Sequence, residues 1–369
     1  MTAPAMRAAL LAALATGPAG AETVRVATFN VDISARGPGI LLADLGKGDA
    51  PRATVAARMI AAVDPDIVVL QGVDYDAGLA TLAALAGEIA SAGAHYPHLF
   101  ALRPNTGMAT GLDLDGNGRT GGARDAQGYG RFAGAAGMAI LSRHRIDREA
   151  VVDLSPMLWR DLPGAIPPMV EGRPFPTAEA HAVRRLSSTA HWIVPVQAGE
   201  TTLRLLTWHA TPPVFDGPED LNGRRNHDEA ALWLRLLDGA LDVSAPEPPF
   251  VILGDANLDP EDGDGRPEAL TALLDRPGLT DTAPRSVGAR AAADPGHVGD
   301  PAFDTADFDD PPGNLRVDYL LASSGIEVVE SGVFWPEAGS PAANALGPLG
   351  DWPRHRVVWA DLNLRPASR

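Results

Sequence analysis

Eight polar residues stand at the ends of apolar stretches in this sequence, or close to them: Asn30, Asp32, Asp74, His209, Asp255, Asn257, Asp318 and His355. The run Phe250-Val251-Ile252-Leu253-Gly254-Asp255-Ala256-Asn257 is the clearest case. Its apolar half reads as a short buried strand. Gly254 is expected to end that strand and turn the chain. A carboxylate and an amide two residues apart in an extended segment project to the same side. Together they can orient a water, hold a metal, or do both. The competing reading is an Asx-rich turn after a strand. The other strand ends decide against that reading, because they carry the same kind of polar group. A lone Asp inside the apolar run Leu315–Leu321, as at Asp318, is costly without a partner, and a histidine or a metal is the natural one. Two histidines and several carboxylates, with no cysteine and no serine elbow, suit metal-assisted hydrolysis at phosphorus better than acyl transfer.

Composition narrows the classes. The chain has 369 residues with a formal net charge of −17, against a broad electrostatic grip on nucleic acid or anionic membrane. Lys47 is the only lysine, and the absence of cysteine removes disulfides, thiolate metal sites and a thiol nucleophile. At the N-terminus, Arg7, the apolar run Ala8–Ala15 and the small residues Ala19-Gly20-Ala21 read as a secretory signal over residues 1–21. The expectation is an exported or periplasmic protein whose mature domain spans 22–369. No later segment is long and apolar enough for a bilayer-spanning helix.

The elements that must position these residues follow from periodicity. Strands are expected at 24–30, 66–71, 136–142, 189–197, 202–208, 250–254, 315–321, 326–334 and 357–363. Helices are expected from Pro51 to Val63, over 77–92, within 222–239 with Ala231, Leu234 and Leu237 inward, and near 266–275. Residues 31–48, 94–131, 155–187 and 283–314 read as Gly- or Pro-rich loops. Asp113-Leu114-Asp115-Gly116-Asn117-Gly118 resembles the opening of a calcium loop, with oxygen donors at Asp113, Asp115 and Asn117. Arg124 stands at its twelfth position, where an acid is usual. A bound Ca²⁺ and a plain Asx/Gly turn are both open readings. There is no internal repeat and no linker between separate cores. The fold class is therefore α/β (α+β), one domain with two sheets.

The order of motifs resembles the endonuclease/exonuclease/phosphatase superfamily. The matching pieces are Thr28-Phe29-Asn30-Val31-Asp32, Val69-Leu70-Gln71, Gly137 to Arg143, Thr207-Trp208-His209, Gly254-Asp255-Ala256-Asn257, Arg316-Val317-Asp318-Tyr319 and Arg354-His355. The resemblance implies a four-layer sandwich, two packed mixed β-sheets flanked by helices. It implies that Asn30 and Asp32 contact metal or phosphate, that Asp255 positions or deprotonates the attacking water, and that Asn257 holds the phosphate with Arg131. It gives His209 the stabilisation of phosphoryl charge, makes His355 the other essential imidazole, oriented by a carboxylate, and gives Asp318 a metal-site or histidine-orienting role. Mg²⁺, with Mn²⁺ or Ca²⁺ as alternatives, is the implied cofactor.

Two positions depart from the family pattern. Gly72 stands where the family places a metal-binding Glu, which leaves Asp74, Asp76 or Asp32 to supply the carboxylate. Arg354 stands where the family places an Asp, which leaves Asp351 or Asp318 to orient His355. The expected function is a secreted, monomeric, divalent-metal phosphoesterase. The substrate is a phosphate ester, with a small molecule or lipid head group favoured over nucleic acid. The alternatives are a secreted nuclease of the deoxyribonuclease type and a non-catalytic binding module that keeps the fold. Mass spectrometry of the protein recovered from its native host checks the export expectation: the N-terminus should lie near Glu22, and a full-length species would contradict it.

Overall fold

The structure, a computed structural model, describes residues 22–309 and 311–364. The expected leader lies outside them. Two large mixed sheets form the body. In the first, the strands run in the order Glu327–Phe334, Val357–Leu364, Glu22–Asn30, Ile67–Val73, Gly137–Ser142, His98–Phe100. In the second, the order is Leu279–Asp281, Asp318–Ser323, Phe250–Asp255, Thr201–His209, Ala190–Ala198, Arg145–Ile146. Each sheet has one parallel pair at its centre: Glu22–Asn30 with Ile67–Val73, and Thr201–His209 with Phe250–Asp255.

Strand residues alternate between two environments, as the period of a strand requires. Val24 and Val26, Ile67 and Val69, Leu203 and Leu205, Val251 and Leu253, and Leu320 and Ala322 meet in one core between the sheets. The intervening residues face outward onto helices. Phe29, Val68 and Leu70 pack against Val55, Met59, Ile60 and Leu85 from Pro51–Val63 and Ala80–Ala92. Leu206, Ile252 and Leu321 pack against Leu232, Trp233 and Leu236 from Leu221–Leu237 and Leu270 from Glu268–Leu274. The result is the four-layer sandwich. Among the described residues, no helix is long and apolar enough to cross a membrane.

Along each strand the face turned toward the other sheet changes character at the same edge. It reads Val24, Val26, Thr28, Asn30 on one strand and Leu203, Leu205, Thr207, His209 on another. It reads Val251, Leu253, Asp255 on the third and, run backwards because that strand is antiparallel, Ala322, Leu320, Asp318 on the fourth. The inter-sheet core thus ends in polar side chains.

Several expectations need correction. The strand carrying Asp318 begins at that residue, since Leu315 belongs to a separate two-residue ladder with Ala306. Asp318 therefore opens its strand and is not embedded in it. Helix Leu221–Leu237 buries Ala230, Ala231, Trp233 and Leu236, while Leu234 and Leu237 are only partly buried. The loop expected over 31–48 contains helix Ile40–Lys47, bracketed by Gly39 and Gly48 in left-handed conformation. The short helices Ala178–Val183, Val287–Ala291 and Pro341–Leu346 lie in or beside stretches that read as irregular. Too few residues repeat in them for a period to show.

Gly254 also serves a different purpose from the one expected, because its strand continues through Asp255. A Cβ at Gly254 would stand 2.1 Å from the Trp208 carbonyl oxygen and 2.8 Å from the Trp208 ring. The glycine allows two neighbouring strands to approach just before each delivers a site residue. Gly254→Ala should lower stability by about 1–3 kcal/mol, the usual cost of overpacking. Gly46→Ala should be neutral or mildly stabilising, because nothing lies within 4 Å of its Cβ position in helix Ile40–Lys47. Thermal denaturation of both variants checks the contrast.

Candidate active site

Adjacent strand ends bring three of the polar residues into line. His209 is the Cα partner of Asp255 across the parallel pair, and Asp255 is the partner of Asp318 across the antiparallel one. Asn30 reaches the same place from the opposite sheet. His355 arrives from the segment before Val357–Leu364, where Ala306 and His355 form an isolated bridge.

Nitrogens converge on one oxygen, Asp255 Oδ2. Asn30 Nδ2 donates to it at 2.8 Å and Asn257 Nδ2 at 3.3 Å. His209 Nε2 lies at 3.4 Å and His355 Nε2 at 3.8 Å. The other oxygen, Oδ1, accepts the Asn257 backbone N–H at 2.8 Å. Asn257 holds a left-handed φ of 51°, which folds its side chain back over Asp255 and onto the Ala210 carbonyl at 2.8 Å. Both hydrogens of its amide are thereby engaged within the protein.

Asp318 orients His355, with Nδ1 to Oδ2 at 2.8 Å. The same oxygen accepts the Thr305 hydroxyl at 2.8 Å, and the Thr305 oxygen in turn accepts the backbone N–H groups of Val317 and Asp318, each at 3.0 Å. Thr305 is a site residue that sequence reasoning missed; it lies in a Pro/Asp/Gly loop with no local signal. Asp351, the alternative partner for His355, makes no bond to it.

Electrostatics separate the two imidazoles. Burial alone would push His355 down, but the neighbouring carboxylates Asp318 and Asp255 outweigh it and raise its pKa to about 9. His209, although its Nε2 lies 3.4 Å from Asp255, gains no such rise. Burial, helped by the positive charge on His355, pushes it to about 3, so it is neutral. Its Nδ1 is buried without a hydrogen-bond partner, which favours the tautomer with the proton on Nε2, facing Asp255. Asp255 is fully buried; burial pushes its pKa up to about 7, with Asp318 adding to the rise and His355 opposing it.

The donor set fits a divalent cation. Asp255, Asp318 and His355 each offer one ligand atom, all within 4.8 Å of one another. Asp318 Oδ1 is buried with no hydrogen-bond partner, an acceptor that a cation would satisfy.

Of the other sequence candidates, Asp32 borders this cluster, where its charge helps to raise His355, and the rest make their bonds elsewhere. Asp74 accepts from the Ser34 hydroxyl at 2.5 Å and from the backbone N–H groups of Ala35 and Ala136 at 2.9 and 3.1 Å. Asp76 accepts from the backbone of Gly78, Ala80 and Thr81 at the start of helix Ala80–Ala92. Asp32 pairs with Arg52 at 3.0 Å and is 41% exposed, while its backbone N–H donates to Asn30 Oδ1. Arg131 is exposed, on a segment whose Gly128 packs against the Ser188 carbonyl. Asp113 and Asp115 come within 4.8 Å of Asp125, which takes the third place in that group. Asn117 folds back instead, its amide donating to Asp115 at 3.0 Å.

Gly72 explains why no side chain replaces the missing glutamate there. It has φ +75° at a break in strand register, and a Cβ would fall 2.6 Å from Asn30 Oδ1 and 2.9 Å from the Asp32 nitrogen.

The sequence profile of the Endonuclease/Exonuclease/phosphatase family matches residues 27–353, and the chain belongs to that family. It is a family of phosphoester hydrolases and nucleases that typically use a divalent metal. Among solved structures, an endonuclease/exonuclease/phosphatase from Beutenbergia cavernae is similar at 20% identity and a TM-score of 0.52, over 93% of this chain and 72% of that one. Another from Bacteroides vulgatus is similar at 13% identity and a TM-score of 0.50, over 93% of this chain and 100% of that one. Likeness at this identity shows the shared fold. No curated protein matches.

Asp318→Asn should bring the His355 titration down from about 9 toward the ordinary value near 6.5, since the nearest carboxylate is lost. Histidine proton chemical shifts followed against pH measure this directly.

Proposed function

We propose that this protein is an exported, divalent-cation-dependent phosphoesterase that hydrolyses a small or lipid phosphate ester by attack of an activated water. The observation that carries the reading is the convergence of Asn30, Asn257, His209 and His355 on Asp255 Oδ2.

In this reading Asp255 accepts a proton from the attacking water as its oxygen bonds to phosphorus. The His355 imidazolium releases a proton to the leaving oxygen as the phosphorus–oxygen bond breaks. Neutral His209 donates from Nε2 to a phosphoryl oxygen that gains charge. Asn257, with both amide hydrogens engaged internally, holds Asp255 in place and contributes less to direct phosphate contact. Arg131, exposed beside the segment that packs on Ser188, serves as a peripheral phosphate contact at most.

Asp255 and Asp318 would hold the cation, with Asn30 beside it. When bound, the cation neutralises charge developing on the phosphoryl oxygens. Asp74 is not a substitute for the missing glutamate in this reading, because it bonds Ser34, Ala35 and Ala136 and is not part of the Asp255–Asp318–His355 group. The net charge of −17 favours a small or lipid ester over a polyanionic nucleic acid.

The test is hydrolysis of bis-p-nitrophenyl phosphate, p-nitrophenyl phosphate and plasmid DNA by the mature protein, with Mg²⁺, Mn²⁺ or chelator. One of the two small esters should turn over with added cation and not with chelator; preference for DNA would favour a nuclease. Asp255→Asn should reduce kcat by ~10²–10⁴-fold in a folded protein. The dependence of kcat/KM on pH should rise as Asp255 deprotonates, near 7 or lower with cation bound, and fall as His355 loses its proton near 9. A profile lacking the alkaline limb would remove His355 as the acid.

A further inference from the structure

Helix Leu221–Leu237 connects the strand ending in His209 to the strand ending in Asp255. Its first turns present a buried polar face at helical spacing: Arg225, Asn226 and Glu229. The same helix is apolar further along, where Leu232, Trp233 and Leu236 cover the strand interiors. Polar residues buried on a core-facing helix are costly unless each finds partners, and here the partners are the strand ends themselves. Asn226 is 1% exposed, and its amide nitrogen donates to the carbonyls of Thr211 and Ala256, both at 2.7 Å. Thr211 lies two residues after His209, and Ala256 separates Asp255 from Asn257. Glu229 accepts from the Thr211 backbone at 2.8 Å and from the Ser188 backbone and hydroxyl at 2.5 and 2.7 Å. Ser188 also reaches the His209 carbonyl at 3.3 Å. Arg225 is 5% exposed and donates to the carbonyls of Leu186, Gln127, Arg185 and Ser187, tying down the segment that carries Ser188.

His209 has no side-chain partner of its own beyond Asp255. Its Nδ1 is unpaired, whereas His355 is aimed by Asp318. The placement of His209 against Asp255 must therefore come from the main chain. We propose that Asn226, supported by Glu229, is a positioning residue: it staples the chain after His209 to the chain after Asp255 and so sets the approach of the imidazole to the carboxylate. This rests on the phosphoesterase reading for its catalytic consequence and on geometry alone for the staple.

The experiment uses the mature protein with Asn226→Ala, His209→Ala, the double variant and Glu229→Gln. Asn226→Ala should lower kcat on the small ester that turns over by ~10–100-fold with KM within about twofold, because a misplacement of about 1 Å is felt in the chemical step. In the His209→Ala background the same substitution should cost less than about threefold, since the imidazole it aims is gone. Amide hydrogen exchange read by mass spectrometry should speed up at 209–211 and 255–257 in Asn226→Ala and not in the opposite sheet. An equal loss of kcat in both backgrounds would overturn the positioning role, as would unchanged exchange in a folded Asn226→Ala protein. If Asn226→Ala does not fold, Glu229→Gln carries the same test, because its amide would face the Thr211 N–H with a donor. Its expected result is a smaller kcat loss that again shrinks without His209, and an undiminished loss would overturn the proposal. Should the wild type hydrolyse no phosphate ester, the functional reading fails while the exchange measurement still decides the staple.

Discussion

Two carboxylates, Asp255 and Asp318, face each other on neighbouring strands with no exposed surface. Two unit charges about 4 Å apart repel by ~4 kcal/mol even at an effective dielectric of about 20. Much of the surrounding structure answers that repulsion. The His355 imidazolium spans the pair, 2.8 Å from Asp318 and 3.8 Å from Asp255. Asn30, Asn257 and Thr305 add hydrogen bonds to particular oxygens. One oxygen, Asp318 Oδ1, has no hydrogen-bond partner among the described residues, and a divalent cation of the kind the family typically uses would satisfy it.

The supports behind these groups are as specific as the groups themselves. Arg356 is nearly fully buried and lies close to the rings of Trp335 and Trp352. It donates to the carbonyls of Pro353, Arg354 and His355 and pairs with Asp307, which fixes the backbone from which His355 projects. Across the site, helix Leu221–Leu237 does the equivalent for His209 through main-chain bonds. His355 is thus held through both its ring nitrogen and its backbone and His209 through its backbone, while burial pushes the His209 pKa down and the carboxylates beside His355 push its pKa up.

The departures from the family pattern belong to this same geometry. At Gly72 the backbone is left-handed and pressed against Asn30, so the chain has no room for a side chain where the family keeps a glutamate. Arg354 is exposed, and the histidine beside it takes its orientation from Asp318. Both positions border the Asp255–Asp318–His355 group, Gly72 through Asn30 and Arg354 through the histidine that follows it.

The sequence by itself determined the architecture and the edge where chemistry gathers. Alternating β-branched runs specify strands because a pleated strand repeats every two residues, and polar groups at the same end of several such runs must meet wherever the strands align. Period sufficed for one α/β domain with two sheets and for the polar strand ends that include Asn30, His209, Asp255 and Asp318, while the four layers followed from the order of motifs and its resemblance to the family. Tertiary structure alone decided which acids are free to act. Asp74, Asp76 and Asp113 look like Asp255 in sequence, yet their bonds go to nearby loop and helix-start groups, whereas Asp255 meets Asn30, His209, Asp318 and His355. Thr305 and Asn226 were hidden for the converse reason: their partners lie 13 to 30 residues off, and no local pattern records a hydrogen bond closed across a loop or a helix crossover. A carboxylate's role depends on which charged and polar groups surround it after folding, and only the folded chain sets those neighbours.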